Sequence, residues 1–321
     1  MQRRLLDYVI VSLKGMAMGA ADVVPGVSGG TIAFISGIYE ELIESIDKIN
    51  LNFFKTWKSN GFRMAWASIN GSFLAALFLG IAISIISLAK LIKWLLINEP
   101  ILLWSFFFGL VLASIIYIAN QISKWRFTVI VAIIFTSILS YYVTLAEPFA
   151  SPDSSIYLLF CGFIAIIAMI LPGVSGAFIL LILGAYQTAI DTINNLVEGV
   201  TTGNFNLFKD AFINFALLAI GAVVGIKVFS KILNWMFKHK KDLTLAILTG
   251  FMIGSLNKIW PWKRVLKWRI NSHDEKVSLA EQSILPTYYE GDHQLTSAII
   301  IMVIGFITIL ILERLGRKKV V

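Results

Sequence analysis

The chain has 321 residues, of which 58% are hydrophobic and only 14% are charged, and its mean hydropathy is +0.81. A water-soluble domain is about half apolar and about a quarter charged, so this composition excludes a soluble globular domain and indicates a membrane protein. The net charge of +8 does not indicate nucleic-acid binding, because the basic residues lie between apolar segments, as in membrane topology, rather than in one patch.

Apolar segments long enough to cross a bilayer recur along the whole chain. A spanning helix needs about 20 residues, and five uncharged segments approach or exceed that length. They are residues 64–89, 100–123, 127–146, 156–186 and 295–312. Two shorter segments, residues 211–226 and 243–257, count as spans if flanking lysines extend to the interface. The chain is therefore predicted to be an all-α, polytopic membrane protein.

The chain also contains an internal duplication. Residues 25–30, PGVSGG, return as residues 172–177, PGVSGA, at an offset of 147 positions (172 minus 25). Further pairs repeat at this offset or, after a change of loop length, at an offset of 141: Gly15 with Gly162, Gly37 with Gly184, Tyr39 with Tyr186, Gly80 with Gly221 and Gly109 with Gly250. We therefore predict one membrane domain made of two repeats, residues 1–146 and 147–321.

The positions of lysine and arginine indicate how the repeats are oriented, because short cytoplasmic loops are enriched in these residues. With the N-terminus inside, the basic segment 47–63 is also inside, whereas the acidic segment 191–210 is outside. The basic segments 238–241 and 314–319 return to the inside. This pattern predicts an inverted-topology repeat with three full spans and one re-entrant hairpin in each half, and with both termini in the cytoplasm.

The duplicated PGVSG sequence predicts a break in a membrane helix of each half. Proline lacks a backbone donor and glycine is costly in a helix, so the helix should open there. Open backbone is tolerated at membrane depth only inside protein or beside a water-filled cavity. A helix that restarts after the break offers free N–H groups and the positive end of its dipole to an anion. The candidate substrate-binding residues at the two breaks are Pro25, Gly26, Ser28, Gly29, Gly30, Thr31, Pro172, Gly173, Ser175 and Gly176.

A different interpretation of these motifs is close helix packing. Glycine and serine are common wherever membrane helices approach each other closely. The break occurs twice at matching positions, however, and paired interrupted segments are the usual mark of a transporter site. The duplication therefore favours a binding or translocation role.

Two charged residues near the breaks are further candidates. Asp22 precedes Pro25 by three positions, and its counterpart in the second repeat is Met169, so the two halves differ chemically. An acid at membrane depth indicates proton coupling or cation balance, and the alternative is a helix-capping role. Lys227 follows an apolar segment and is a candidate to neutralise a phosphate, or else it extends to the interface.

Aromatic residues are interpreted as contacts to the membrane interface. Tyr39 and Tyr186 are expected in the interfacial aromatic belts. Trp260, Trp262 and Trp268 alternate with lysine and arginine in the long loop before the last apolar segment. In a soluble protein this mixture would suggest single-stranded nucleic acid, but beside membrane spans it predicts an interfacial segment that touches lipid headgroups.

Enzymatic chemistry has little support in the sequence. There is no P-loop and no Gly-x-Ser-x-Gly elbow, and the three histidines lie in predicted loops without metal-ligand spacing. Cys161 is the single cysteine, so no disulfide within the chain and no cysteine-based zinc site is possible. We expect no catalytic residue, no metal and no cofactor.

The motifs resemble those of a known family. Residues 14–31, KGMAMGAADVVPGVSGGT, are followed by GIYE at 37–40 and echoed by LPGVSG at 171–176. This pattern resembles the bacterial polyprenyl-phosphate transporter family, the PopT-type undecaprenyl-phosphate translocases, and the resemblance covers nearly the whole chain. In the second copy the final glycine is replaced by Ala177 and the acid is absent.

The resemblance implies a function that composition and spacing do not reach. A family member is expected to be a translocase that returns undecaprenyl phosphate, or a similar polyprenyl phosphate, from the outer to the inner leaflet of the bacterial cell membrane for cell-envelope synthesis. Its partners are then that lipid, the surrounding membrane lipids and protons, and nucleic acid is not among them. The residues alone leave two alternatives open, a membrane-embedded enzyme acting on a lipid phosphate and a channel or transporter for small anions, because helix N-termini serve any anion.

Overall fold

The computed structural model describes residues 4–23, 28–146, 155–270 and 276–317, which are mostly helical. The helices of the first half are α1 Leu5–Val23, α2 Gly29–Ile35, α3 Tyr39–Asp47, α4 Leu51–Asn60, α5 Phe62–Ser68, α6 Gly71–Asn98, α7 Pro100–Ala119 and α8 Phe127–Leu145. Those of the second half are α9 Ser155–Ile170, α10 Gly176–Ile182, α11 Tyr186–Thr202, α12 Phe205–His239, α13 Lys241–Ser255 and α14 Leu295–Arg317. Two strands, β1 Lys263–Ile270 and β2 Lys276–Ser283, and a short 3-10 helix, Pro286–Tyr288, lie between α13 and α14.

Several of these helices are suited to cross a membrane. Helices α6, α7, α8 and α12 are long and apolar enough to span a bilayer, and α9 and α14 contain shorter apolar segments, Ile156–Ile170 and Leu295–Ile311. Helices α10 and α11 meet at an angle of 110°, which is the geometry of a broken span or a re-entrant loop. The prediction of an α-helical, multi-pass membrane protein is confirmed.

The duplication is visible in the bounds of the helices. Helix α2 begins at Gly29 and α10 begins at Gly176, and each is seven residues long. Both helices end in the same way. After each helix a glycine with positive φ, Gly37 (φ 72°) or Gly184 (φ 69°), lets the next backbone N–H groups donate to carbonyls of the last helical turn. A positive φ is easily adopted only by glycine, so the glycine repeated at this offset is explained by the helix end.

The helices pack both within each half and between the halves. Helix α1 packs along α6, and the matching α9 packs along α12, so these pairs form within each half. Helix α7 packs instead against α14, and α13 packs against α8, so these pairs form between the halves. The two contacts between the halves therefore interlock the repeats.

Repeated glycines lie where the paired helices cross. A Cβ on Gly15 would overlap the carbonyl of Leu77, and one on Gly162 would overlap the carbonyl of Leu218. The same holds on the facing helices at Gly80 and Gly221. Close approach of membrane helices needs small residues at the contact, so this part of the repeat serves packing.

The segment between α13 and α14 is a β-hairpin, which the sequence analysis did not predict. Strands β1 and β2 are antiparallel, with Lys263 opposite Ser283. Trp262 is only 2% exposed and its indole N–H donates to the carbonyl of His293 at 2.8 Å. The interpretation of this loop as an interfacial segment is therefore wrong for Trp262, while Trp268 is 52% exposed.

The crossing of α9 and α12 predicts the effect of one added methyl group. We expect Gly221→Ala to destabilise the protein by about 1–3 kcal/mol, because the methyl group would meet the backbone of Leu159 and Phe163 and force the helices apart. The measurement is thermal unfolding in detergent. Val223→Ala on the exposed side of α12 is the control and should leave the melting temperature nearly unchanged; equal effects of both changes would contradict the packing role.

Candidate functional site

The start of α2 is fixed by a serine that contacts the other half of the molecule. Ser28 has extended backbone (φ −124°) and its hydroxyl accepts the N–H of Gly30 at 3.1 Å, which makes it a helix N-cap. The same hydroxyl donates to the carbonyl of Met169 near the end of α9 at 3.0 Å. The side chain is buried. The first motif thus caps its own helix and binds the second half through one group.

The carboxylate of Asp22 occupies the anion position at this helix start. One of its oxygens accepts the N–H of Gly29 at 2.7 Å. A Cβ placed on Gly29 would lie 2.5 Å from the other oxygen, so glycine is needed for this approach. Residue Asp22 therefore caps α2 and also lies at the start of the helix, where an anionic ligand would bind.

The two breaks are joined by further hydrogen bonds. The N–H of Gly173, which has φ +87°, donates to the hydroxyl of buried Thr31 at 3.0 Å. The hydroxyl of Tyr39 donates to the carbonyl of Ile170 at 3.1 Å. Tyr39 is 2% exposed, so its interpretation as an interfacial aromatic residue is wrong. The predicted motifs are thus brought together inside the bundle.

The second break borders a small cavity. Ser175 has extended backbone before α10 and makes no side-chain cap bond. The cavity measures about 10 Å³, which is room for one water molecule. Its lining residues are Gly173, Val174, Ser175, Phe178, Lys258 and, from α8, Ser140, Val143 and Thr144. The sequence analysis did not select Lys258, whose counterpart at the offset of 141 is Tyr117, so the repeat offered no signal for it.

Other predicted site residues have different surroundings. The ammonium of Lys227 donates to the carbonyls of Ile46 and Asp47, both at 2.9 Å, and so caps the C-terminal end of α3. Pro25 and Gly26 lie outside the described residues. Two of the predicted glycines lie close to backbone of the second half. A Cβ on Gly30 would lie 2.5 Å from the carbonyl of Ile170, and one on Gly176 would lie 2.7 Å from the carbonyl of Ala165. Pro172 is buried.

A much larger cavity lies on another side of the first repeat. It measures about 1030 Å³ and is bordered by α1, α3, α5 and α6. Its charged lining residues are Asp7, Lys14, Glu41 and Arg63. The ammonium of Lys14 donates to the carbonyl of Ser36 at the end of α2, at 2.5 Å. This cavity therefore touches the end of α2 that is opposite to Ser28.

Within the part of the chain that the structure describes, no three His, Cys, Asp or Glu side chains cluster in a way that could hold a metal ion. The polar groups at the breaks are hydroxyls, backbone N–H groups and one carboxylate. Groups of these kinds are able to hold a ligand by hydrogen bonding.

Comparison with known proteins assigns the chain to a family. The chain is 43% identical to a polyprenyl-phosphate transporter of Vibrio cholerae serotype O1, over 99% of this chain and 100% of the relative. It is 31% identical to a polyprenyl-phosphate transporter of Staphylococcus aureus, over 78% of this chain and 85% of that relative. No solved structure matches the chain significantly. The model of the undecaprenyl phosphate translocase-like family matches residues 18–277, and the chain belongs to this family.

Proposed function

We propose that this protein is a translocase that moves a polyprenyl phosphate, such as undecaprenyl phosphate, across the bacterial cell membrane without changing it chemically. The direction is from the outer to the inner leaflet, where the lipid serves again as a carrier for cell-envelope synthesis. Two curated relatives are named polyprenyl-phosphate transporter, which supports this substrate and a transport role rather than an enzymatic one. The observation that carries the proposal is the hydrogen bonding between the two helix breaks, which forms one polar region inside an apolar bundle.

The phosphate headgroup binds, in this proposal, to backbone N–H groups at the two helix starts. Gly29 and Gly176 are the first residues of α2 and α10, and glycine allows a ligand to approach the backbone closely. Ser28 and Ser175 precede them and add hydroxyl groups. The interior location reduces competition from water, which strengthens each hydrogen bond to a charged group.

Asp22 is the proposed coupling residue. Its carboxylate accepts the N–H of Gly29, so it competes with a phosphate for the start of α2. Two neighbouring anions repel each other, and the phosphate is therefore best accepted when the carboxyl group is protonated. Protonation from the acidic outer face then favours capture of the lipid, and release of the proton inside favours its discharge.

The large cavity beside Lys14 and Arg63 is the proposed release route. With the N-terminus in the cytoplasm, Arg63 lies on the cytoplasmic side. A volume of about 1030 Å³ accommodates a phosphate headgroup, whereas the volume of about 10 Å³ beside Ser175 does not. The difference in volume supports release of the headgroup on the side of Arg63.

The decisive experiment uses the purified protein in liposomes that contain a fluorescent polyprenyl phosphate. We expect the lipid signal accessible from the source leaflet to decrease with time, faster with an imposed pH gradient, and the lipid to be recovered unchanged. Recovery of a dephosphorylated lipid would support an enzyme instead. Transport of small anions without movement of the lipid would support a channel.

The inverted topology is tested by labelling introduced cysteines. In a Cys161→Ser background, Asn52→Cys on α4 should react only from the cytoplasmic side, because the basic segment around it belongs inside. Asn194→Cys on α11 should react only from the outside. Both positions are exposed, so accessibility is not limited by burial. Labelling of both from one side would refute the inversion.

Glycine variants separate backbone binding from hydroxyl binding. We expect Gly29→Val and Gly176→Val to reduce transport more than Ser28→Ala and Ser175→Ala. A side chain at either glycine would block ligand approach to the backbone and also displace Asp22 or the carbonyl of Ala165, whereas a hydroxyl supplies one replaceable hydrogen bond. Lipid transport is measured beside thermal stability, so that misfolded variants are recognised. Equal transport by all four variants would reduce these positions to packing.

Replacement of the acid tests the coupling. Asp22→Asn retains an oxygen that can accept the N–H of Gly29 but cannot carry a charge, so we expect lipid binding to persist and the response of transport to a pH gradient to disappear. The measurement is liposome transport with and without the gradient. Asp22→Lys should trap or misplace the lipid, since it adds a cation at the anion site. A wild-type gradient response of the Asn variant would leave Asp22 a structural cap.

A further inference from the structure

The small cavity beside the second break contains a lysine that belongs to neither motif. Lys258 follows α13 and lines the cavity together with Gly173 and Ser175. Its ammonium lies 4.7 Å from the centre of the Phe178 ring, on α10. A cation held over an aromatic ring beside a serine hydroxyl and open backbone has the chemistry of an anion site.

A carboxylate of the β-hairpin pairs with this lysine. Glu281 on β2 lies 3.5 Å from the ammonium of Lys258 and 3.6 Å from that of Lys263 on β1. Lys263 does not line the cavity, and its ammonium lies 3.6 Å from the centre of the Trp104 ring. Burial lowers the pKa of Lys263 to about 8, and the nearby Glu281 partly opposes this shift. One carboxylate thus serves two cations.

The ion pair between Lys258 and Glu281 and the small volume of the cavity both describe a site without a ligand. In this arrangement the cation beside Ser175 is neutralised by a group of the protein, and the cavity of about 10 Å³ is too small for a phosphate. An incoming phosphate group would have to replace the carboxylate on Lys258 and enlarge the cavity. Because Glu281 lies on β2, phosphate entry at the second break requires this residue to leave Lys258.

We infer that Lys258 is the residue that binds the phosphate group of the lipid at the second break, and that Glu281 is its counter-ion when the site is empty. This inference rests on the proposed function and names the cation of the same site, in place of Lys227, which is engaged at the end of α3. The phosphate exchanges with the carboxylate of Glu281 on this lysine. The chemical class recognised is a phosphate monoester on a long apolar chain.

The test measures binding of a fluorescent short-chain polyprenyl phosphate to the purified full-length protein. We expect Lys258→Gln to weaken binding by roughly tenfold to a hundredfold, as expected for loss of a hydrogen bond to a charged group. Lys258→Arg should retain most of the affinity. Glu281→Gln should strengthen binding, because it removes the competing anion, and a purely structural ion pair would not produce this opposite sign.

Controls distinguish the sources of failure. Lys267→Gln removes an exposed positive charge from the same hairpin and should leave binding unchanged. The matching polyprenol without phosphate should bind Lys258→Gln and wild type equally. Inorganic phosphate should compete only at much higher concentration than the lipid, and equal competition would overturn the lipid assignment.

Two results would overturn this inference alone while the proposed function stands. One is wild-type binding and transport with no effect of Lys258→Gln, and the other is weaker binding by Glu281→Gln. Absence of lipid transport by the wild type would overturn the proposed function itself.

Discussion

The need to pair open backbone groups inside the bilayer is the constraint on which this structure depends. Helix α9 ends within the bundle, so its last carbonyls lack helical partners, and an unpaired carbonyl in hydrocarbon costs several kcal/mol. Ser28 and Tyr39 of the first half supply donors to Met169 and Ile170. Thr31 in turn accepts the N–H of Gly173. The break in the second half is therefore stabilised by the first, and the polar region exists only when both halves are assembled.

Local chemistry explains why much of the fold was predictable. The breaks before α2 and α10 follow from the short PGVSG sequence, and long apolar segments identify the spans. The repetition of Gly37 and Gly184 was visible in the sequence, but their role as left-handed helix ends was not predicted. What the sequence did not reveal depends on contacts distant in the chain. Lys227 caps a helix about 180 positions away, and Lys258 meets the second motif only after folding.

Burial of aromatic residues was also beyond sequence reasoning. Tyrosine and tryptophan are suited both to the interface and to a protein interior in which their polar atom has a partner. Tyr39 and Trp262 find such partners in the carbonyls of Ile170 and His293, and the choice between the two environments depends on those distant carbonyls. The hairpin that contains the strand residues Lys263 and Glu281 was missed because its charged composition resembles an unstructured loop.

The duplicated scaffold carries unequal charges. Asp22 in the first half corresponds to Met169 in the second, and Lys258 in the second corresponds to Tyr117 in the first. One helix start is therefore occupied by an internal anion, while the other borders a cation. Packing glycines are shared by the repeats, so the scaffold is conserved between the halves while their electrostatics differ.

The helix contacts between the halves also affect the order in which the protein assembles in the membrane. Helix α8 packs against α13, and α7 packs against α14. During synthesis from the N-terminus, α7 and α8 enter the membrane before either partner has left the ribosome. Until then the face of α7 around Gly109, which later meets the backbone of Met302 on α14, is covered by lipid or by the insertion machinery. The first half is thus an assembly intermediate with an unfilled helix-binding face, and maturation is complete only after the last helix has been inserted.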